Sequence, residues 1–193
     1  MDYDGKTALI VVDVQNDFAD PDGSLYVAGG EETVEPINQE IDRARKAGAY
    51  VAYTQDWHPE STTHFEKDGG IWPVHCVAGT WGAELHPHLE VTGEAVRKGT
   101  GGEDGYSGFS VRDPETGEKS STGLAELLRE RGIERLVVVG LALDYCVKAT
   151  ALDARSEGLA VTVLRDATRA VDLEPGDGER AVEELEAAGV AVS

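Results

Sequence analysis

The stretch Thr7 to Val12 reads TALIVV, an unbroken aliphatic run too short for a helix and without polar alternation, which predicts a strand buried on both faces. From Thr33 to Ala47 the apolar positions Val34, Ile37, Ile41 and Ala44 recur at helical spacing, and Gly48 follows as a stop. Ala49 to Thr54 predicts a second strand, whose end delivers Gln55-Asp56-Trp57-His58-Pro59 into a long loop running to about Val91. A short strand near Glu94 to Arg97 precedes a glycine-rich stretch, Gly99 to Gly108, and a helix from Leu124 to Arg131 closes at Gly132. RLVVVG, Arg135 to Gly140, is the clearest strand. A helix from about Asp144 to Glu157, a final strand from Ala160 to Leu164 and a helix from Gly178 to Ala188 complete the pattern. Strands alternating with helices predict a three-layer α/β/α fold with a central, mainly parallel sheet of Rossmann-like topology. No repeat or linker divides the chain, so residues 1–193 are expected to form a single domain.

Composition adds two exclusions. With 40% hydrophobic and 28% charged residues the chain has the make-up of a folded soluble protein, large enough to stay folded without disulfide or structural metal. Its 17 basic residues against 37 acidic ones give a net charge of −20, which disfavours phosphate backbones and anionic lipid surfaces, so neither nucleic acid nor membrane is an expected partner. The acids run through the whole chain, as on a protein adapted to high salt or on an ordinary acidic cytosolic one. No apolar stretch approaches the ~20 residues of a membrane span, and the start Met1-Asp2-Tyr3-Asp4 lacks the features of a signal peptide. A cytoplasmic location is the expectation. Two cysteines, Cys76 and Cys146, are too few for a disulfide framework.

In open parallel sheets ligands collect at the carboxyl ends of the strands. That rule gathers Asp13, Asp56, His58, Lys98 and Cys146 onto one rim. Cys146 falls where a buried strand runs into the first turn of a helix, and the unpaired N–H groups there favour thiolate and can hold an oxyanion. Taken alone it reads more readily as a small buried residue on a small-residue helix. Asp13 closing an apolar strand suits proton transfer, and Lys98 beside it stabilises negative charge, so the three together make a nucleophile with a base and a cation. Asp56, His58, His64 and His75 lie within 20 residues on one loop, a nitrogen and oxygen set suited to Zn, Fe or Mn with positions left open. His86 and His88 are rival ligands that read better as turn residues. Phe18, Trp72 and Tyr106 enter the same rim, as wall packing or as a slot for a flat ring. The glycines around Gly101 and Gly5 lack the context for dinucleotide binding.

These segments carry a resemblance. Asp13-Val14-Gln15-Asn16-Asp17-Phe18, Asp56-Trp57-His58-Pro59, Trp72-Pro73-Val74-His75-Cys76-Val77, Lys98-Gly99, Tyr106-Ser107-Gly108-Phe109 and Gly140 to Val147 resemble, in order and over nearly the whole chain, the nicotinamidase/pyrazinamidase branch of the isochorismatase-like cysteine hydrolases. The resemblance implies an isochorismatase-like fold, a catalytic triad of Asp13, Lys98 and Cys146, and metal ligands at Asp56, His58 and His75, with His64 as a further ligand in part of the family. It implies ring stacking by Phe18 and Trp72 and an oxyanion hole from the backbone N–H groups of Ala142 and Cys146, with a cis peptide before Ala142.

The implied reaction is hydrolysis of nicotinamide to nicotinate and ammonia through a cysteine thioester, a step of NAD salvage, with pyrazinamide as a second substrate. Two departures from relatives stand out: Leu143 where a small polar residue is usual, and the acidic insert Gly101-Gly102-Glu103-Asp104-Gly105 before Tyr106. Rival readings are a related hydrolase acting on another small amide or on isochorismate, and a silent binding module. The sequence leaves the metal's identity and the oligomeric state open, a homodimer included.

Overall fold

The computed structural model describes residues 2–193. In chain order the elements are β1 (Thr7–Val12), α1 (Asn16–Ala19), α2 (Val34–Lys46), β2 (Tyr50–Asp56), β3 (Glu94–Lys98), β4 (Ser110–Arg112), β5 (Lys119–Ser121), α3 (Leu124–Glu130), β6 (Arg135–Leu141), α4 (Lys148–Ser156), β7 (Ala160–Arg169), α5 (Asp177–Ala187) and β8 (Ala191–Val192). Six strands form one parallel sheet in the order β3-β2-β1-β6-β7-β8, and β4 and β5 make a separate antiparallel hairpin.

The apolar run of β1 is buried on both sides because its side chains alternate between two cores. Leu9 and Val11 pack with Val34, Ile37, Ile41 and Ala44 of α2 on one face. Ala8, Ile10 and Val12 pack with Leu124 and Leu128 of α3, Ala151 and Ala154 of α4 and Leu185 of α5 on the other. The result is the α/β/α layering that the sequence predicts, with helix stripes supplying the cover that an all-parallel sheet requires.

From β1 the chain winds outward through β2 to β3, then returns to lay β6 against the other side of β1 and winds the opposite way. This reversal opens a crevice beyond the carboxyl ends of β1 and β6, where open α/β sheets bind ligands. Gly140 sits at the junction with φ +112°, and a Cβ there would lie 2.1 Å from the Val12 carbonyl oxygen, so the close approach of β6 to β1 requires glycine.

Four details differ from what the sequence predicts. The strand expected to end at Leu164 runs on to Arg169, because a bulge lets the pairing jump from Val138↔Val163 to Gly140↔Thr168. It is also not the last strand, since Ala191–Val192 adds an edge. The helix expected from Asp144 begins as a π-helical turn, Leu143–Val147, before regular α-helix takes over at Lys148. The hairpin of β4 and β5 and the short helix α1 carry too few residues to show a period. Among the described residues no helix is long and apolar enough to cross a membrane.

Candidate active site and metal centre

Asp13 follows β1 directly, in a left-handed backbone conformation at φ +48°, with its side chain fully buried. Thr54, on the neighbouring β2, donates its hydroxyl hydrogen to Asp13 Oδ1 at 2.6 Å. The other oxygen, Oδ2, lies 2.9 Å from the Lys98 ammonium. Lys98 is the last residue of β3 and only 2% exposed; its Nζ also ion-pairs Asp56 and lies 3.7 Å from Cys146 Sγ. Oxygens of Asp13 and Asp56 and the sulfur of Cys146 all fall within 4.8 Å of one another. Asp13, Lys98 and Cys146, 133 positions apart from first to last in the sequence, are thus brought together at the crevice.

The electrostatics of this cluster follow from burial and shared charge. Burial lifts the Asp13 carboxyl above the usual carboxylate range, with Lys98 opposing and Asp56 adding to the shift. Burial would lower the Lys98 ammonium, yet the Asp13 and Asp56 carboxylates outweigh it and hold the lysine charged. Burial also pushes the Cys146 thiol well up, against the pull of Lys98. The sequence places Cys146 in a helix-start environment that favours thiolate. At 6% exposure the desolvation of the sulfur dominates instead, so the resting group is a thiol that needs a base.

The long loop after β2 is ordered by main-chain pairing. His58 N–H donates to the Cys76 carbonyl at 3.0 Å and Ala78 N–H to the His58 carbonyl at 2.8 Å, a parallel bridge that sets His58 beside His75. Phe65 and Trp72 form a second bridge, which folds His64 back toward the same point. Gln15 fixes the end of β2, donating to the Asp56 and Ala83 carbonyls and accepting from Asp56 N–H. Asp17 accepts the N–H groups of Ser24 and Cys76. Burial raises the Cys76 thiol, whose sulfur lies 3.8 Å from the Gly82 carbonyl oxygen and belongs to the core on the α2 face of the sheet; it packs rather than reacts.

One ring nitrogen from each of His58, His64 and His75 falls within 4.8 Å of the others. Asp56 Oδ2 lies 3.8 Å from His58 Nε2 and 3.9 Å from His75 Nε2. His75 Nδ1 donates to the Pro73 carbonyl at 2.8 Å, leaving Nε2 facing the cluster. His64 Nδ1 is engaged by Asp104 at 2.7 Å. Both nitrogens of His58 are buried without a hydrogen-bond partner, a costly state that coordination of a cation by one of them would lessen. Burial pushes His75 down to about 4, keeping it neutral as ligation requires. Burial acts to raise Asp56, but Lys98 and the imidazoles outweigh it and keep its carboxyl below the usual range. Three imidazoles and one carboxylate therefore suit a divalent first-row cation. His86 and His88 are occupied with each other in a local turn, away from this set.

A pocket is lined by Phe18, Trp72, Tyr106, Tyr145, Ala142 and Cys146 together with His64, His75 and Asp56, so residues of both clusters reach it. Trp72 Nε1 donates to the Tyr106 hydroxyl at 3.0 Å, and both rings meet Tyr145 edge-on. Burial raises the Tyr106 phenol to about 12, so it stays protonated. The Leu141–Ala142 peptide is cis, and Ala142 begins the turn that carries Cys146. Leu143 is buried in the core with Val147 and Leu185 and is not part of the pocket lining. Asp144 accepts the N–H groups of Val171 and Asp172, securing another pocket wall.

Sequence reasoning missed Thr54 and Asp104. Thr54 was accessible to it, since residues two apart on a strand share a face and Thr54 is two before Asp56. Asp104 carried no such signal.

Residues 7–193 match the Isochorismatase domain family, and the chain belongs to that family. It is 38% identical to the nicotinamidase of Escherichia coli (strain K12) over 200 residues, covering 94% of this chain and 92% of that protein. It superposes on PnC1 from L. infantum, solved in complex with nicotinate, with a TM-score of 0.90 and 40% identity over 100% of this chain and 95% of that one. The pyrazinamidase of Pyrococcus horikoshii, solved in complex with zinc, gives a TM-score of 0.86 and 40% identity over 97% of this chain and 98% of that one.

Proposed function

We propose that this chain is a metal-dependent cysteine amidohydrolase that converts nicotinamide to nicotinate and ammonia, and that residues 1–193 act as one hydrolase domain. The observation that carries this reading is the joining of two buried clusters beside one aromatic-lined pocket: Asp13, Lys98 and Cys146 meet Asp56, His58, His64 and His75 through the Lys98–Asp56 ion pair, and Cys146, Asp56, His64 and His75 all line the pocket. Nicotinate in the PnC1 structure and zinc in the pyrazinamidase structure support the substrate class and the ion.

Asp13 takes the proton of the Cys146 thiol as sulfur attacks the carboxamide carbon, and Lys98 offsets the negative charge that builds between them. The backbone N–H groups of Ala142 and Cys146 hold the carbonyl oxygen as it becomes an oxyanion. Asp13 returns the proton to nitrogen, the C–N bond breaks and ammonia leaves, with the acyl group on Cys146 as a thioester. Asp13 then takes a proton from water, which attacks the thioester, and the thiol is regenerated as nicotinate departs. Phe18, Trp72 and Tyr106 pack on the pyridine ring and hold it beside Cys146. Asp56, His58, His64 and His75 would hold a divalent ion, which would supply a Lewis acid at the pocket to help orient the heteroaromatic ring. Zinc, iron and manganese all suit this donor set.

The test is release of ammonia and nicotinate from nicotinamide by protein as purified, stripped by chelator, and refilled with zinc, iron or manganese. Loss on stripping and recovery on refilling are expected. Unchanged turnover in fully stripped protein overturns the role given to the ion, and no release with any metal overturns the substrate.

A further inference from the structure

The acidic insert before Tyr106 has no part in the reaction described above, yet it is stitched to the histidine loop. Gly99 turns the chain at φ +76° directly over His58; a Cβ there would sit 2.7 Å from His58 Nδ1. Thr62, two residues before His64, donates its hydroxyl to the Gly102 carbonyl at 3.1 Å. The backbone of Asp104 pairs in both directions with Arg112 at the end of β4. So fixed, Asp104 reaches across 40 positions of sequence to put Oδ1 at 2.7 Å from His64 Nδ1.

That contact has chemical consequences. A histidine uses one ring nitrogen for a metal, and the partner of the other decides tautomer, ring orientation and basicity. With Nδ1 donating to Asp104, Nε2 is the nitrogen of His64 left for the cluster with His58 and His75. His75 gains the same service from the Pro73 carbonyl, a neutral acceptor on its own loop. His64 obtains it from a carboxylate on a different segment. The charge count also changes: Asp56 alone leaves a divalent ion with one uncompensated positive charge, and Asp104, one imidazole removed, balances it.

We propose that Asp104 is the positioning residue for His64, holding it in the ligand set and strengthening retention of the ion. This rests on the metal site proposed above. Outer partners of this kind typically change metal affinity about 10- to 100-fold. The side chain of Asp104 is 46% exposed, so its loss leaves no large cavity.

The experiment is a zinc titration of the full chain against a competing chromophoric chelator, with wild type, Asp104→Ala, Asp104→Asn, His64→Ala and the His64→Ala, Asp104→Ala double variant. Asp104→Ala is expected to bind zinc about 10- to 100-fold more weakly than wild type, with Asp104→Asn in between because its amide oxygen still accepts from Nδ1. Once His64 is absent, removing Asp104 is expected to cost nothing further, a non-additivity that a general structural role would not produce. Tight wild-type binding matched by Asp104→Ala, or an undiminished Asp104 effect in the His64→Ala background, overturns the role of Asp104 and leaves the metal site standing. A wild-type protein that binds no zinc overturns the metal site itself.

Discussion

Lys98 and Asp56 end neighbouring parallel strands in register with one another, and their side chains form a buried ion pair at the point where both strands run out. The same ammonium lies 2.9 Å from Asp13. One lysine therefore joins the carboxylate beside the thiol to the carboxylate beside the imidazoles. The two halves of the site share a charge, and the sheet register is what sets it.

Lys98→Met leaves two buried carboxylates without their cation. Breaking a buried pair from one side costs about 3–5 kcal/mol, and here two acids lose their partner. Urea unfolding at neutral pH should show a loss of that size together with loss of turnover. Wild-type stability in the variant would mean that the acids are compensated elsewhere.

Thr54 donates to the ionised form of Asp13 and so works against the upward push of burial. Removing the hydroxyl in Thr54→Val raises the Asp13 pKa further. Because the reaction needs Asp13 ionised, the acid limb of the pH profile of kcat/KM should move to higher pH in Thr54→Val and stay in place in Thr54→Ser. Superimposable profiles for wild type and valine would remove Thr54 from the mechanism.

Acid should destabilise the metal-free protein through His75. Burial holds this imidazole at about 4 in the fold against 6.5 ordinarily. The folded state thus binds fewer protons between those values: stability is fully present above pH 6.5 and is lost as pH falls through 4. The shift corresponds to about 3 kcal/mol. Unfolding curves across this window should show the fall in wild type and a smaller one in His75→Phe.

Salt should stabilise the fold. The exposed pairs, Lys6 with Glu134 and Arg165 with Glu179 among them, contribute at most about 1 kcal/mol each and weaken with salt. The net charge of −20 opposes compaction over the whole surface, and in 1 M salt the screening length shrinks to about 3 Å. Relief of this repulsion outweighs the weakening of the pairs, so the thermal midpoint should rise between dilute buffer and 1 M KCl, by roughly 2–4 °C for each kcal/mol gained. A falling midpoint would show that the ion pairs dominate.

The sequence disclosed what periodicity and strand ends encode. TALIVV and RLVVVG read as strands because they are apolar on both faces, and the rule that ligands gather at carboxyl ends brought Asp13, Lys98 and Cys146 to one rim. It did not disclose the far half of β7, where Arg165 and Asp166 in the bulge interrupt the apolar pattern. Nor did it show the π-helical turn at Cys146, a hydrogen-bond arrangement with no periodic signature at five residues. For Cys146 the helix start was legible but the burial that raises its thiol was not, because burial depends on packing from other elements. Asp104 was hidden for a similar reason: an acid among glycines reads as solvated loop, and its partner His64 is 40 residues away.

The most direct measurement is ammonia release from nicotinamide by metal-loaded Cys146→Ala beside metal-loaded wild type. With sulfur as the attacking atom, wild type turns over and the alanine variant falls to the level of the enzyme-free blank. Turnover by Cys146→Ala at a rate comparable to wild type would contradict the thioester route at its first step.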